Sequence, residues 1–486
     1  MPLILGAQSA TASSYGIDNS CRFNASDSAY MHRTFGTPTN IDKWTFSVWL
    51  KRSGVFTGAS QKLLNAYVSG SAYHMVQLSS GAAADRFVHY GHDTAMTPVD
   101  YGETTAGDYR DVGGWYHLVV IYDSGNADAD LRSRLFVNGV EPEFSSVTNP
   151  GLDNNSIINS AVAHQLGAVQ SPAQYYDGYM AEAIFCDGQA YDADEFGEFN
   201  SDSPTIWQPK DPSGLTFSGT NSCWLDFKDS ADLGKDVSGQ GNHFTEVNFA
   251  AGDQATDSPT NSFGTMNSLD NFYVAATFTE GNNQIVIASG IKAYATGTMG
   301  PSSGKWYWEV EMDAHSGASS DYQAVGIGDR VSDSAAKDSY AASYPANFIY
   351  SSEGSFIESG TASVVATVNS YTDGDIVGVA LDLDNNKLYF SKNGAWENSG
   401  DPTSGASGTG AMTIIAPSHA DTSGFYFPLI GSDTTARGAT WKGNFGGSPA
   451  FVVSSANQDG NGYGNFENAV PSGYYALCTK NLAEFG

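Results

Sequence analysis

"GDIVGVALDLDNNKLYFSKNGAW", Gly374 to Trp396, decides the fold. Apolar side chains fall on every second position, Val377, Val379, Leu381 and Leu383, and Gly378, Ala380, Asp382 and Asp384 take the alternate ones. A period of two sends successive side chains to opposite faces of a strand. Asn385-Asn386 interrupt the run, Lys387 to Ser391 make a second one, and Asn393-Gly394 tolerate the positive φ of a tight hairpin turn. The stretch reads as an antiparallel hairpin with one oily face and one small, acidic face, the latter lying outside or under a loop.

The same grammar recurs along the chain in "WTFSVWLKRS" (Trp44–Ser53), "WYHLVVIYD" (Trp115–Asp123), "RLFVNGVE" (Arg134–Glu141), "GKWYWEVEM" (Gly304–Met312) and "FYFPLIG" (Phe425–Gly431). "RLFVNG" and "LYFSKNG" share a strand that runs into Asn-Gly, about one domain length apart. The pattern predicts an all-β protein: two antiparallel β-sandwiches of jelly-roll type in tandem. No amphipathic helix longer than about two turns stands out; a short acidic helix is expected near Asp192–Phe199. Residues 1–200 read as the first sandwich and 270–486 as the second. Residues 201–269, rich in Pro, Gly and Asp, read as an ordered connector whose "CWLDF" (Cys223–Phe227) returns one strand to the first sandwich. It is read as ordered because Trp207, Trp224, Phe244 and Phe249 need burial.

Charge and cysteine content narrow the function classes. Lys and Arg number 22 against 53 Asp and Glu, and a net charge of −31 repels phosphate backbones, so no nucleic-acid partner is expected. Cys21, Cys186, Cys223 and Cys478 are far apart and form no CxxC pair, which argues against a zinc knuckle or a disulfide framework and for buried free thiols. "MPLILGAQSA" lacks a basic n-region, so no secretory signal is expected, and no apolar run is long enough for a membrane span.

Residues 1–200 resemble a concanavalin A-like, laminin-G-type lectin domain through "WTFSVWLKRS", "WYHLVVIYD", "RLFVNGVE" and "DGYMAEAIFCDGQAY". Residues 270–486 resemble a SPRY domain through "GKWYWEVEM", "AVGIGD", the opening hairpin, "FYFPLIG" and "NFGG", in that family's order. This pairing, with "LGKDVSGQGNHFT" and "DSPTNSF" between the domains and "GYYALCTKNL" near the end, resembles structural proteins of marine tailed bacteriophages. The resemblance implies a virion protein, assembled in the host cytoplasm among other virion proteins and present in several copies or as a homo-oligomer. It would be displayed as a tail-fibre-like adhesin toward host envelope glycans. The alternative readings are a decoration protein of capsid or tail without a ligand and, third, a polysaccharide depolymerase.

Catalytic patterns are weak. "EMDAHS" offers Glu311 and Asp313 for a two-carboxylate glycosidase, but Ser316 stands where the second catalytic Glu belongs. "GPSSG" precedes a strand instead of following one, unlike a nucleophile elbow. "DLDNNKLYFSKN" has Lys387 where a calcium loop needs Gly. Asp123, Asp128 and Asp130 are spaced for a loose Ca²⁺ site, with a solvated loop as the competing reading; no other cofactor is expected and the chain is read as a non-enzyme. Sugar binding calls for flat aromatic faces beside polar groups. Loop text supplies them as Tyr101, Asp108 and Tyr109 in the first domain and Tyr340, Tyr344, Tyr350 and Trp396 in the second.

Overall fold

The computed structural model describes residues 15–54, 59–80, 85–93, 96–101, 109–144, 147–171, 173–273, 276–290, 293–316, 323–329, 347–358, 363–432 and 437–486. The chain divides into two compact units, the first ending at Thr260 and the second beginning at Asn261. Each is built of antiparallel sheets facing one another across an aromatic and aliphatic core.

In the first unit, a seven-stranded sheet is centred on Gly178–Asp187, Lys43–Arg52 and Trp115–Asp123. An eight-stranded sheet runs from Val147–Thr148 through Met96–Tyr101, Phe87–Asp93, Ala72–Leu78, Gln61–Ser69, Ala163–Leu166 and Tyr30–Thr34 to Thr245–Val247. Alternation settles which side chains go inward. Trp44, Phe46, Val48 and Leu50 enter the core, as do Leu118, Val120 and Tyr122 from the neighbouring strand. The text after residue 200 belongs to this unit. Cys223–Leu225 pairs with Gly178–Asp187, Thr245–Val247 with Tyr30–Thr34, and Gln254–Ala255 with Ser20–Phe23. Near Asp192, one 3₁₀ turn (Ala193–Glu195) replaces the expected acidic helix. Gly197–Phe199 then extends to pair with Trp207–Pro209, and a helix there would have forfeited that ladder.

The second unit pairs a seven-stranded sheet, from Met266–Tyr273 to Ser363–Thr367, with a nine-stranded sheet centred on Lys305–His315 and Ile376–Asp382. The opening stretch forms the hairpin read from its alternation. Ile376–Asp382 pairs with Lys387–Lys392 in register Val377↔Lys392 to Asp382↔Lys387. Lys392 then pairs with Ala395 around Asn393 (φ 49°) and Gly394 (φ 80°), the two positive-φ centres of a two-residue turn. Val377, Val379 and Leu381 are fully buried.

The small face is also covered. Ala380 lies in a second cluster with Phe263, Tyr307, Tyr389, Phe466 and Tyr474. A Cβ on Gly378 would stand 2.4 Å from Ser391 Oγ and 2.9 Å from Tyr307 Oη, so the absent side chain is what admits this layer. Glu309 anchors the covering segment. It is fully buried and accepts from Tyr307 Oη, the Asn444 amide, the Glu467 and Asn468 backbone N–H groups and the Asn468 amide.

Candidate functional site

Three places deserve testing as sites: the covered outer face of the seven-stranded sheet, the loop residues read from the sequence, and the outer face of the eight-stranded sheet.

On the seven-stranded sheet, odd-numbered residues of Lys43–Arg52 point away from the core, which brings Ser47 and Trp49 beside His117 and the Gly178–Asp187 strand. A β-bulge between Ala181 and Ile184 turns Glu182 (φ 46°) to this side, where it is buried and accepts from Tyr15 Oη (2.9 Å) and Trp224 Nε1. Burial lifts its carboxyl to about 7 despite those donors. The neighbouring cleft, lined by Tyr15, Trp49, Glu182, Phe196 and Pro209, offers about 10 Å³, room for one water and no sugar.

Ser47 Oγ lies 2.8 Å from His117 Nε2, the spacing of a nucleophile and its base. The other ring nitrogen reverses that reading. Trp207 Nε1, which can only donate, points at His117 Nδ1 at 3.0 Å, so Nδ1 accepts and the neutral imidazole holds its proton on Nε2. His117 therefore donates to Ser47, and burial pulls its pKa down to about 3. The pair is a satisfied polar contact between Trp49 and Trp207, both stacked on the ring.

The sequence-read residues do not assemble into one site. Asp108, Tyr340 and Tyr344 lie outside the described residues. Tyr101 sits in the strand Met96–Tyr101, opposite His89 and Val147. Tyr109 is half-buried on the first core, with its ring 4.8 Å from Phe87 and 5.5 Å from Tyr116 and its carbonyl accepting from Arg52 at 2.6 Å. Tyr350 is no loop residue. It is fully buried in the strand Phe348–Ser351 and packs on Phe356, Tyr371 and Phe390, because "NFIYSSEGSF" pairs as a hairpin of its own. Trp396 is half-buried edge-on to Tyr389 (6.5 Å) and closes the hairpin. The Gly/Ser text after it folds into two 3₁₀ turns, tied back by Tyr474 Oη to the Pro402 carbonyl.

Nor do the three aspartates converge. Asp123 pairs with Lys43 at 3.1 Å, Asp128 caps the turn Ala129–Leu131, and Asp130 accepts from Asn149 at 2.9 Å. Among the described residues, no group of three or more His, Cys, Asp or Glu could hold a metal ion. Glu311 is half-buried, Asp313 is salt-bridged to Lys442, and the four cysteines are buried and unpaired.

What sequence reading missed is the outer face of the eight-stranded sheet. Register sets His32, Gln165, Asn65, Met75 and Tyr90 in one row across five strands, all pointing away from the core. Beside it runs a second row, Tyr67, Tyr73 and His92, half-exposed and stacked. The ring centroids are 6.0 and 6.1 Å apart, with interplanar angles of 16° and 23°. Tyr90 meets Tyr73 edge-on at 5.7 Å. At the base of the row, Asn65 Nδ2 donates to the Gln165 side chain at 2.9 Å, and buried Asn65 Oδ1 has no hydrogen-bond partner. Tyr30, His32 and Tyr175 form a second aromatic group on the flanking strand. The signal was present as alternation in "LLNAYV", "AYHMVQL" and "FVHYGHD", where the non-core positions are aromatic, amide or apolar instead of charged.

Residues 24–192 match the model of the concanavalin A-like lectin/glucanases superfamily, and residues 305–430 match that of the SPRY domain. The chain carries a concanavalin A-like domain and a SPRY domain. The aromatic face lies within the first match. Among solved structures, the chain is similar to the SPRY domain of human HERC1 (16% identity, 37% of this chain and 96% of that one, TM-score 0.28). It is similar also to a Bacteroides ovatus protein described as carbohydrate binding (13%, 48% and 58%, 0.32) and to a SAP-like pentraxin from Limulus polyphemus (14%, 36% and 78%, 0.26). No curated protein matches. Among the described residues, no helix is long and apolar enough to cross a membrane.

Proposed function

We propose that this chain is a non-catalytic recognition protein that binds glycans on the outer face of the eight-stranded sheet of its concanavalin A-like domain. One observation carries the reading: the Tyr67–Tyr73–His92 ladder keeps its rings partly exposed in one row on the outer face of the sheet. A pyranose presents an apolar face to an aromatic ring and a rim of hydroxyls to polar groups, and the ladder offers both in its rings and in its phenol and imidazole edges. The non-catalytic part of the reading is supported by the reversed Ser47–His117 pair and by Glu182 and Glu309, which are buried and committed to internal donors.

The setting rests on the sequence resemblance alone: a tailed-phage particle carrying several copies, held by other virion proteins and meeting host envelope glycans. A ligand-free decoration role is the second reading, favoured by Tyr109, Tyr350 and Trp396 packing into their own domains. The two separate on a glycan array probed with the native chain and with Tyr73→Ala and Tyr67→Ala. The proposal expects binding that each substitution weakens about tenfold, near 1.4 kcal/mol. No binding above background, or binding that both variants keep within twofold, would leave decoration standing.

A further inference from the structure

Two lysines of the first unit are withdrawn almost completely from water, and only one has a counter-charge. Lys51 meets Asp257 at 2.7 Å. Lys62, 3% exposed, donates instead to the Gln77 side-chain oxygen and stands 5.8 Å from the Tyr90 ring centroid. No described carboxylate pairs with it, and burial pulls its ammonium down to about 8. A buried cation without an anion is costly, and an amide oxygen and a π face return only a part of that cost. In a chain with 53 acidic and 22 basic side chains, a carboxylate was the easiest partner to supply.

The surroundings agree. Lys62 pairs with Gln77 in register, one row along from Asn65 and Met75 on the aromatic face. From Tyr30–Thr34 across to Phe87–Asp93, the outward positions with described side chains carry no Asp or Glu, whereas His32 and His92 are among them; Asp100 stands opposite Tyr90 on the next strand.

Resting on the glycan reading above, we propose that the ligand is an anionic glycan. Its carboxylate or sulfate displaces the Gln77 amide from the Lys62 ammonium and docks beside the Tyr90 ring, while a neighbouring sugar lies against Tyr73. The test measures binding of the full chain, at physiological salt, to polygalacturonate, its carboxyl-reduced form, dextran sulfate and dextran. At least one acidic polymer is expected to bind about tenfold more tightly than its neutral counterpart; which one does so distinguishes carboxylate from sulfate. Lys62→Met should bring that ratio to within about twofold of unity and Lys62→Arg should keep it, while Tyr73→Ala weakens acidic and neutral forms alike.

Equal binding of acidic and neutral polymers, or a preference that survives Lys62→Met, overturns the anionic inference and leaves glycan recognition intact. Loss of all glycan binding on the array removes the parent reading instead. Should Lys62→Met not fold, acetylation of the native chain read by mass spectrometry decides. Protection of Lys62 by an acidic polymer and not by its neutral counterpart supports the proposal, and equal rates with either refute it.

Discussion

Acid should unfold the concanavalin A-like unit well before the SPRY-containing unit. His74, His89, His117 and His164 are all buried in the first unit, and burial holds each down to about 3. The second unit's histidines, His315 and His419, are not buried. A buried neutral imidazole takes no proton until the chain unfolds, after which it titrates near 6.5. The unfolded state therefore binds more protons below that value, and stability present above pH 6.5 is lost as the pH falls toward 3. At pH 5 each histidine removes RT ln[(1 + 10^1.5)/(1 + 10^−2)], about 2 kcal/mol, so four remove about 8 kcal/mol. Glu182 works the other way: with its carboxyl lifted to about 7, the folded state gains protons between pH 7 and 4.5 and recovers about 2.5 kcal/mol at pH 5. The net loss from pH 8 to 5 is about 6 kcal/mol, comparable with the whole stability of an ordinary domain. Urea unfolding at pH 8, 6.5 and 5, followed by hydrogen exchange with peptides assigned to each unit, reads it directly. Glu182→Gln should deepen the fall and His89→Gln should make it shallower by about 2 kcal/mol, whatever either does to stability at pH 8. A loss below about 2 kcal/mol, or parallel losses in both units, would refute the reasoning.

Two further outcomes follow from buried carboxylates. Asp257→Asn removes the carboxylate that pairs with the buried Lys51 ammonium at 2.7 Å and takes the acceptor facing Trp115 Nε1 (3.0 Å) down to an amide; the first unit should lose about 3–5 kcal/mol in urea unfolding, and a loss under 1 kcal/mol would contradict this. Glu309→Gln puts an amide N–H₂ among donors that all need an acceptor; hydrogen exchange should quicken across 457–478 at a cost of about 2–3 kcal/mol to the second unit, and unchanged exchange there would show that Glu309 is no anchor.

Much of the scaffold was legible because period two is a local signal. Val377, Val379 and Leu381 face the core as their alternation requires, and Asn393-Gly394 turns where it should. What alternation leaves open is whether the second face of a strand meets water. The small residues Gly378 and Ala380 look like a solvent face in the sequence, yet Gly378 lies against Ser391 and Tyr307, and Ala380 packs in a cluster with Phe466 and Tyr474, about 90 residues on. The same ambiguity drew attention to Tyr350 in a polar setting, where strand pairing across "SSEGS" buries it.

The aromatic face was hidden for the converse reason. Tyr67, Tyr73 and His92 come from three strands and become a ladder only through registers that no single stretch states. Lys62 is harder still, since a lysine in "QKLLNAYV" reads as an ordinary polar break in an apolar run. Its lack of a carboxylate is visible only when its neighbours across the sheet are known to be Gln77 and Tyr90. Chemistry on a sheet face is a property of the row, and rows cross the sequence at intervals set by hairpins and long connections. A reading that follows the chain can find the strands that make such a face, but the face exists only once those strands are aligned.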